Sequence, residues 1–133
     1  MRTIKFRAKS VEGHNIGEWV FGDLHIRSAF PHIHTDVGAR CKIDTDTIGG
    51  FTGLYDCNGN KIYEGDILKW EKDGLMYVVK FWHGMFYASV EECNDGIFGG
   101  FPLHALTEYE DRKCKIVGNI YDNHELLKGG ESE

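Results

Sequence analysis

The chain has 133 residues, with 15 Lys and Arg against 21 Asp and Glu, a formal net charge of −6 and a hydrophobic fraction of 41%. Such a chain can bury about two thirds of its unfolded surface, and it lacks the low apolar content and high net charge of a disordered one. No window approaches ~18 consecutive apolar residues, so neither a transmembrane helix nor a membrane partner is expected.

The opening run Met1-Arg2-Thr3-Ile4-Lys5-Phe6-Arg7 alternates basic and apolar residues. A leader would be continuously apolar there, so a cytoplasmic location is expected. Residues 2–9 then read as a half-buried strand. Ile4, Phe6 and Ala8 take one face, and Thr3, Lys5, Arg7 and Lys9 form a wet, basic one. Glu12-Gly13-His14-Asn15 is a turn. Residues 17–26, with Trp19, Val20, Phe21, Leu24 and Ile26, complete an N-terminal hairpin. Residues 27–50 are less regular. Pro31 favours an edge or loop, Cys41-Lys42-Ile43 reads as a short strand, and Gly49-Gly50 closes the region.

From Phe51 the turn signals sharpen. Leu54-Tyr55 and Ile62-Tyr63 flank Asp56-Cys57-Asn58-Gly59-Asn60, where Asn-Gly supplies the positive φ angles of a tight hairpin. Strands follow over 66–70, 76–82 and 85–90, the last two joined at His83-Gly84. A Gly-rich crossing over 91–105 leads to a final strand over 113–121. Asp122-Asn123-His124-Glu125 reads as a capping box opening a short C-terminal helix. Short strands at this spacing predict an all-β fold, with an SH3-like small β-barrel preceded by the N-terminal β-hairpin region. The expected divisions are a hairpin region over 1–50 packed on the barrel, the barrel with its helical turn over 51–128, and a flexible tail over 129–133.

Three runs carry a recognisable pattern. They are Asp46-Thr47-Ile48-Gly49-Gly50-Phe51-Thr52-Gly53-Leu54-Tyr55-Asp56, Asn58-Gly59-Asn60-Lys61-Ile62-Tyr63-Glu64-Gly65-Asp66-Ile67, and Val117-Gly118-Asn119-Ile120-Tyr121-Asp122-Asn123-His124-Glu125-Leu126-Leu127. Together with the Arg7 to Phe21 hairpin, they resemble the YopX family of phage and prophage proteins of unknown function. The resemblance implies an SH3-type barrel for the later part of the chain and a phage or prophage origin. It implies no enzyme, cofactor or substrate, and no catalytic residue.

Several constellations could carry chemistry. His32-Ile33-His34-Thr35-Asp36 places two imidazoles and a carboxylate at strand spacing, the donor set of a Zn²⁺ site with Cys41 as a fourth ligand. Its plain alternative is a solvated polar edge. Asp56 to Asn60 begins like a calcium loop but has Lys61 at the glycine position and Ile67 at the bidentate position, so it reads as a turn. Asp44-Thr45-Asp46 could hold Mg²⁺, or bond local amides. Gly50-Phe51-Thr52-Gly53 and Gly96-Ile97-Phe98-Gly99 match Gly-x-x-Gly weakly, with strand rather than helix flanks. The four cysteines, Cys41, Cys57, Cys93 and Cys114, form no Cys-x-x-Cys and read as free thiols or core residues. The aromatics of Lys80 to Tyr87 read as barrel filling.

Charge is unevenly spread. Residues 1–50 hold 7 basic and 6 acidic side chains, a balance of +1; residues 51–133 hold 8 and 15, a balance of −7. The acidic later part opposes general nucleic-acid binding, which rests on phosphate neutralisation. The sequence therefore favours a non-catalytic phage accessory protein without a cofactor, acting through protein contacts with itself as a homo-oligomer or with a host or phage protein. The alternatives are nucleic-acid binding through Lys5, Arg7 and Lys9, and a metal-dependent enzyme around His32, His34 and Asp36.

Overall fold

Alternating apolar and polar residues, cut by glycine turns, give ten β-strands among the described residues. They are β1 (Phe6–Ser10), β2 (Trp19–His25), β3 (His32–Thr35), β4 (Arg40–Tyr55), β5 (Lys61–Tyr63), β6 (Asp66–Trp70), β7 (Met76–Trp82), β8 (Met85–Ser89), β9 (Phe101–Pro102) and β10 (Cys114–Asn119). A single helical turn, α1 (His104–Thr107), and a 3₁₀ helix (His124–Lys128) complete the described elements. The structure, a computed structural model, describes residues 3–27, 29–90, 100–107 and 114–128. The fold is all-β, built on two antiparallel sheets, and the chain divides into two units, Met1–Gly53 and Leu54–Glu133.

In the first unit the ladder runs β1–β2–β3–β4, and β4 also pairs with β1, so the sheet returns on itself. Its core is Ala8, Val20, Ile33 and Ile43, with Phe6, Leu24, Cys41 and Ile48 packed against them. Ile33 is fully buried, which contributes about 2 kcal/mol. Gly22 makes the sheet possible: a Cβ there would lie 2.2 Å from the His34 carbonyl oxygen, so only glycine lets β3 approach.

The region after Pro31 departs from expectation. It holds β3 and the 16-residue β4. Gly49 and Gly50 do not close a region but sit inside β4, opposite Arg7 and Phe6. A Cβ on Gly50 would lie 3.4 Å from the Phe6 ring, so the glycine leaves room for an aromatic neighbour. A bulge between Arg7 and Lys9 interrupts the β1–β4 ladder. There Thr47 Oγ1 accepts from the Lys9 amide at 2.9 Å and donates to the Asp44 carbonyl at 2.7 Å, which satisfies the displaced backbone.

In the second unit the strand order is β10–β6–β7–β8–β9. The buried core comprises Ile62, Leu68, Trp70, Tyr77, Val79, Ala88, Leu103, Leu106 and Cys114. The hairpin turns fall where the sequence put them. The Asp56 amide donates to Asn60 O at 2.9 Å, with Gly59 at φ 84°. His83 and Gly84 take φ 50° and 79° between β7 and β8, both positive as a primed turn requires. The expected C-terminal helix is the 3₁₀ helix His124–Lys128, and a local amide network precedes it. Asn119 Oδ1 accepts from the Tyr121 and Asp122 amides, Asn123 Oδ1 accepts from the Asn119 amide, and Asp122 Oδ2 accepts from the Asn119 side-chain amide. The β7–β8 aromatics are only partly filling. Phe86 packs on the core, but Phe81 is 53% exposed.

Candidate functional site

Alternate residues of a strand face opposite ways, and directly paired residues of neighbouring strands share a face. Ala8, Val20, Ile33 and Ile43 turn into the core of the first unit. The opposite, outer face therefore carries Arg7 and Lys9 from β1, and Trp19, Phe21, Asp23 and His25 from β2. It also carries His32 and His34 from β3, and Arg40 and Lys42 from β4. Asp44 joins it opposite Lys9. Four cations thus meet two carboxylates, a local balance of +2 within a chain of −6. Lys5 and Asp36 pair at 3.0 Å and cancel each other.

The rings on this face are matched to the cations. The Arg7 guanidinium lies 4.5 Å from the Trp19 ring centroid, and Lys9 Nζ lies 5.5 Å from it. A planar, weakly hydrated guanidinium stacks well on indole, and Arg7 is accordingly buried rather than part of a wet stripe. Lys42 Nζ lies 5.4 Å from the Phe30 centroid. His25 and His32 stack in parallel, 4.8 Å apart at an interplanar angle of 2°. His34 is tilted 52° to His25 at 6.2 Å, and Phe30 lies 5.5 Å from His32. His25 is exposed and His32 buried, so of the two stacked rings solvent reaches mainly His25.

The predicted metal donors are only partly brought together. His32 and His34 share the outer face, but the Asp36 carboxylate engages Lys5. Cys41 is opposite Ile33 and belongs to the inner face. Zinc needs donor atoms converging at about 2.0–2.3 Å. The parallel imidazoles of His25 and His32 instead present their faces to one another, and His32 Nδ1 lies 3.2 Å from the Phe30 carbonyl oxygen. Among the described residues, no group of three or more His, Cys, Asp or Glu is placed to hold a metal ion.

The remaining motifs have structural tasks. Asp44 Oδ1 accepts from the Asp46 amide at 3.0 Å. Gly50-Phe51-Thr52-Gly53 lies within β4. Asp56 Oδ1 accepts from the amides of Asn58 and Asn60, and Oδ2 from that of Ile116. Burial alone would push the Asp56 carboxyl up, but these amide bonds outweigh it and hold the carboxyl below its ordinary value. Cys114 is buried and its thiol is pushed up to about 11, by burial first and then by Cys57 and Asp56 nearby. A thiol so protonated is a poor nucleophile at neutral pH. Cys93, Gly96-Ile97-Phe98-Gly99 and the 129–133 tail lie outside the described residues.

Sequence reasoning named Lys5, Arg7 and Lys9, but missed Trp19, Phe21, His25, Arg40 and Lys42 as their neighbours. The alternation Trp19-x-Phe21-x-Asp23-x-His25 was a usable signal, because period-2 spacing puts all four on one face.

The family model described as YopX protein matches residues 5–128. The chain belongs to the YopX family. Among solved structures, this YopX chain is similar to the crystal structure of protein EF1440 from Enterococcus faecalis. The TM-score is 0.54 at 22% identity, covering 96% of this chain and 99% of that one, a likeness of fold alone. A search of curated proteins finds no match.

Proposed function

We propose that the chain is a non-catalytic binding module that holds nucleic acid on the outer face of its first unit. The observation that carries this reading is the gathering of Arg7, Lys9, Arg40 and Lys42 with Trp19, Phe21, Phe30 and three histidines. A sheet surface of cations and rings answers phosphate with charge and bases with π-faces. The acidic remainder of the chain limits non-specific adhesion and leaves this face as the attractive one. A phage or prophage accessory role in the host cytoplasm, where nucleic acid is abundant, goes with this reading.

The second unit serves as the scaffold. In its sheet β10, the last strand in sequence, lies next to β6, the first in sequence of that sheet, and the turn α1 precedes β10. This order supports an SH3-like barrel. A second reading, self-association or contact with another protein, is favoured by the exposed Phe81 (53%) and Met85 (42%) near the β7–β8 turn.

A gel-shift series at low salt tests the first reading. A shift at micromolar protein that is lost in the charge-reversed variant Arg40→Glu/Lys42→Glu supports it, and no shift with any nucleic acid removes it. A sedimentation mass near that of one chain at high concentration removes the self-association reading.

A further inference from the structure

Resting on that reading, we infer that the ligand of the outer face is a single strand, DNA or RNA, held as much by stacked bases as by phosphate contacts. A duplex hides its base faces and offers phosphates and groove edges, so a duplex binder succeeds by dense positive charge or by an element inserted into a groove. The outer face has neither advantage. Its balance is only +2, and Asp23 and Asp44 stand within it.

What the face offers instead is ring surface. Phe21 is 41% exposed and Phe30 37%. The exposed His25 already lies parallel beside the buried His32 of the neighbouring strand, at 4.8 Å. A base laid on the outer face of His25 becomes the third layer of a stack whose first two layers the protein has ordered in advance. Phe21 and His25 share one face of β2 four residues apart, about 13 Å along the strand. That distance suits bases splayed one after another rather than stacked in a duplex.

Two of the cations lie on the β4 side of these rings, and Arg7 and Lys9 lie on the β1 side. Arg40 and Lys42 on β4 are paired with His34 and His32 on β3, and β3 lies between β4 and β2. The ribose-phosphate chain would follow β4, with its bases turned across β3 toward Phe21 and His25. Lys42, already 5.4 Å over the Phe30 ring, sits where phosphate and base meet.

Fluorescence anisotropy of the full chain tests this with three probes of about 20 nucleotides: labelled oligothymidine, labelled oligouridine and a mixed-sequence duplex. The expected result is binding of at least one single strand roughly tenfold or more tighter than the duplex. The expected slope of log affinity against log salt is about −2, from some three phosphate contacts at ~0.7 each. Phe21→Ala and His25→Ala should each weaken single-strand binding about tenfold while the protein keeps a cooperative circular dichroism melt, because neither side chain belongs to the core. The tighter of the two single strands names the sugar. Duplex binding as tight as single-strand binding overturns this inference and leaves the proposed function standing, as does single-strand binding that both ring variants retain. No binding of any probe overturns both.

Discussion

Asp56 ties the first hairpin of the second unit to its last strand, and removing it should loosen both. The residue is 6% exposed. Its carboxylate accepts from the amides of Asn58 at 2.9 Å, Asn60 at 2.8 Å and Ile116 at 3.0 Å, the last 60 residues away in sequence. Asn58 and Asn60 are exposed, so their amides recover water in an Asp56→Ala variant at a cost of about 0.5–1 kcal/mol each. The Ile116 amide is half-buried and costs about 1–2 kcal/mol when left unpaired. The expected loss is about 3 kcal/mol, which lowers a urea midpoint by roughly 1.5–2 M at an m-value of about 1.5–2 kcal/mol/M. Asp56→Asn keeps one carbonyl oxygen and should lose about half as much.

The charge sets the pH dependence. Because the folded carboxyl is held below its unfolded value, its contribution is fully present above about pH 4 and is lost as the pH falls through the folded value. The gap between the wild type and Asp56→Asn should therefore close in acid. Tryptophan fluorescence reads the transition, since Trp70 is packed in the same core. An Asp56→Ala midpoint equal to wild type, or a gap that widens in acid, would refute the reasoning.

Three further outcomes follow from the packing. Gly22→Ala must push β2 off β3, because its Cβ would lie 2.2 Å from the His34 carbonyl oxygen; a loss of about 3 kcal/mol in chemical denaturation is expected, and a neutral result contradicts the register. Ile33→Ala empties a fully buried site in the first core and should cost about 3 kcal/mol, read by the same denaturation. In thiol labelling with peptide mapping near pH 8, the exposed Cys57 should react in the native protein, and the buried Cys114, its thiol pushed up to about 11, only after denaturation; early labelling of Cys114 would show that its strand opens.

The second half of the fold was legible because its determinants are local. Asn58-Gly59 and His83-Gly84 encode their turns within a few residues, and the strands they join are neighbours. The first half was less legible because its pairings are distant. Phe6 meets Gly50, and Ser10 meets Ile43. β4 is a long strand in spite of Asp44, Asp46, Gly49, Gly50 and Gly53, residues that disfavour strands. Pairing with β1 and β3 overrides those local preferences. The same distance hid the outer face. Lys5, Arg7 and Lys9 were visible as a stripe, but Arg40 and Lys42 join their face only through pairings between strands distant in sequence. Exposure was the hardest feature to read. Arg7 looked solvated and is buried against Trp19, whereas Phe81 looked like core and is mostly exposed.

Backbone amide NMR of the whole chain, titrated with a short oligothymidine, tests the central claim most directly. The account predicts chemical-shift changes that map to Phe21, His25, His34, Arg40 and Lys42, with the second unit largely unmoved. Shifts confined to the hairpin around Phe81 and Met85, or an unchanged spectrum at saturating oligonucleotide, would contradict it.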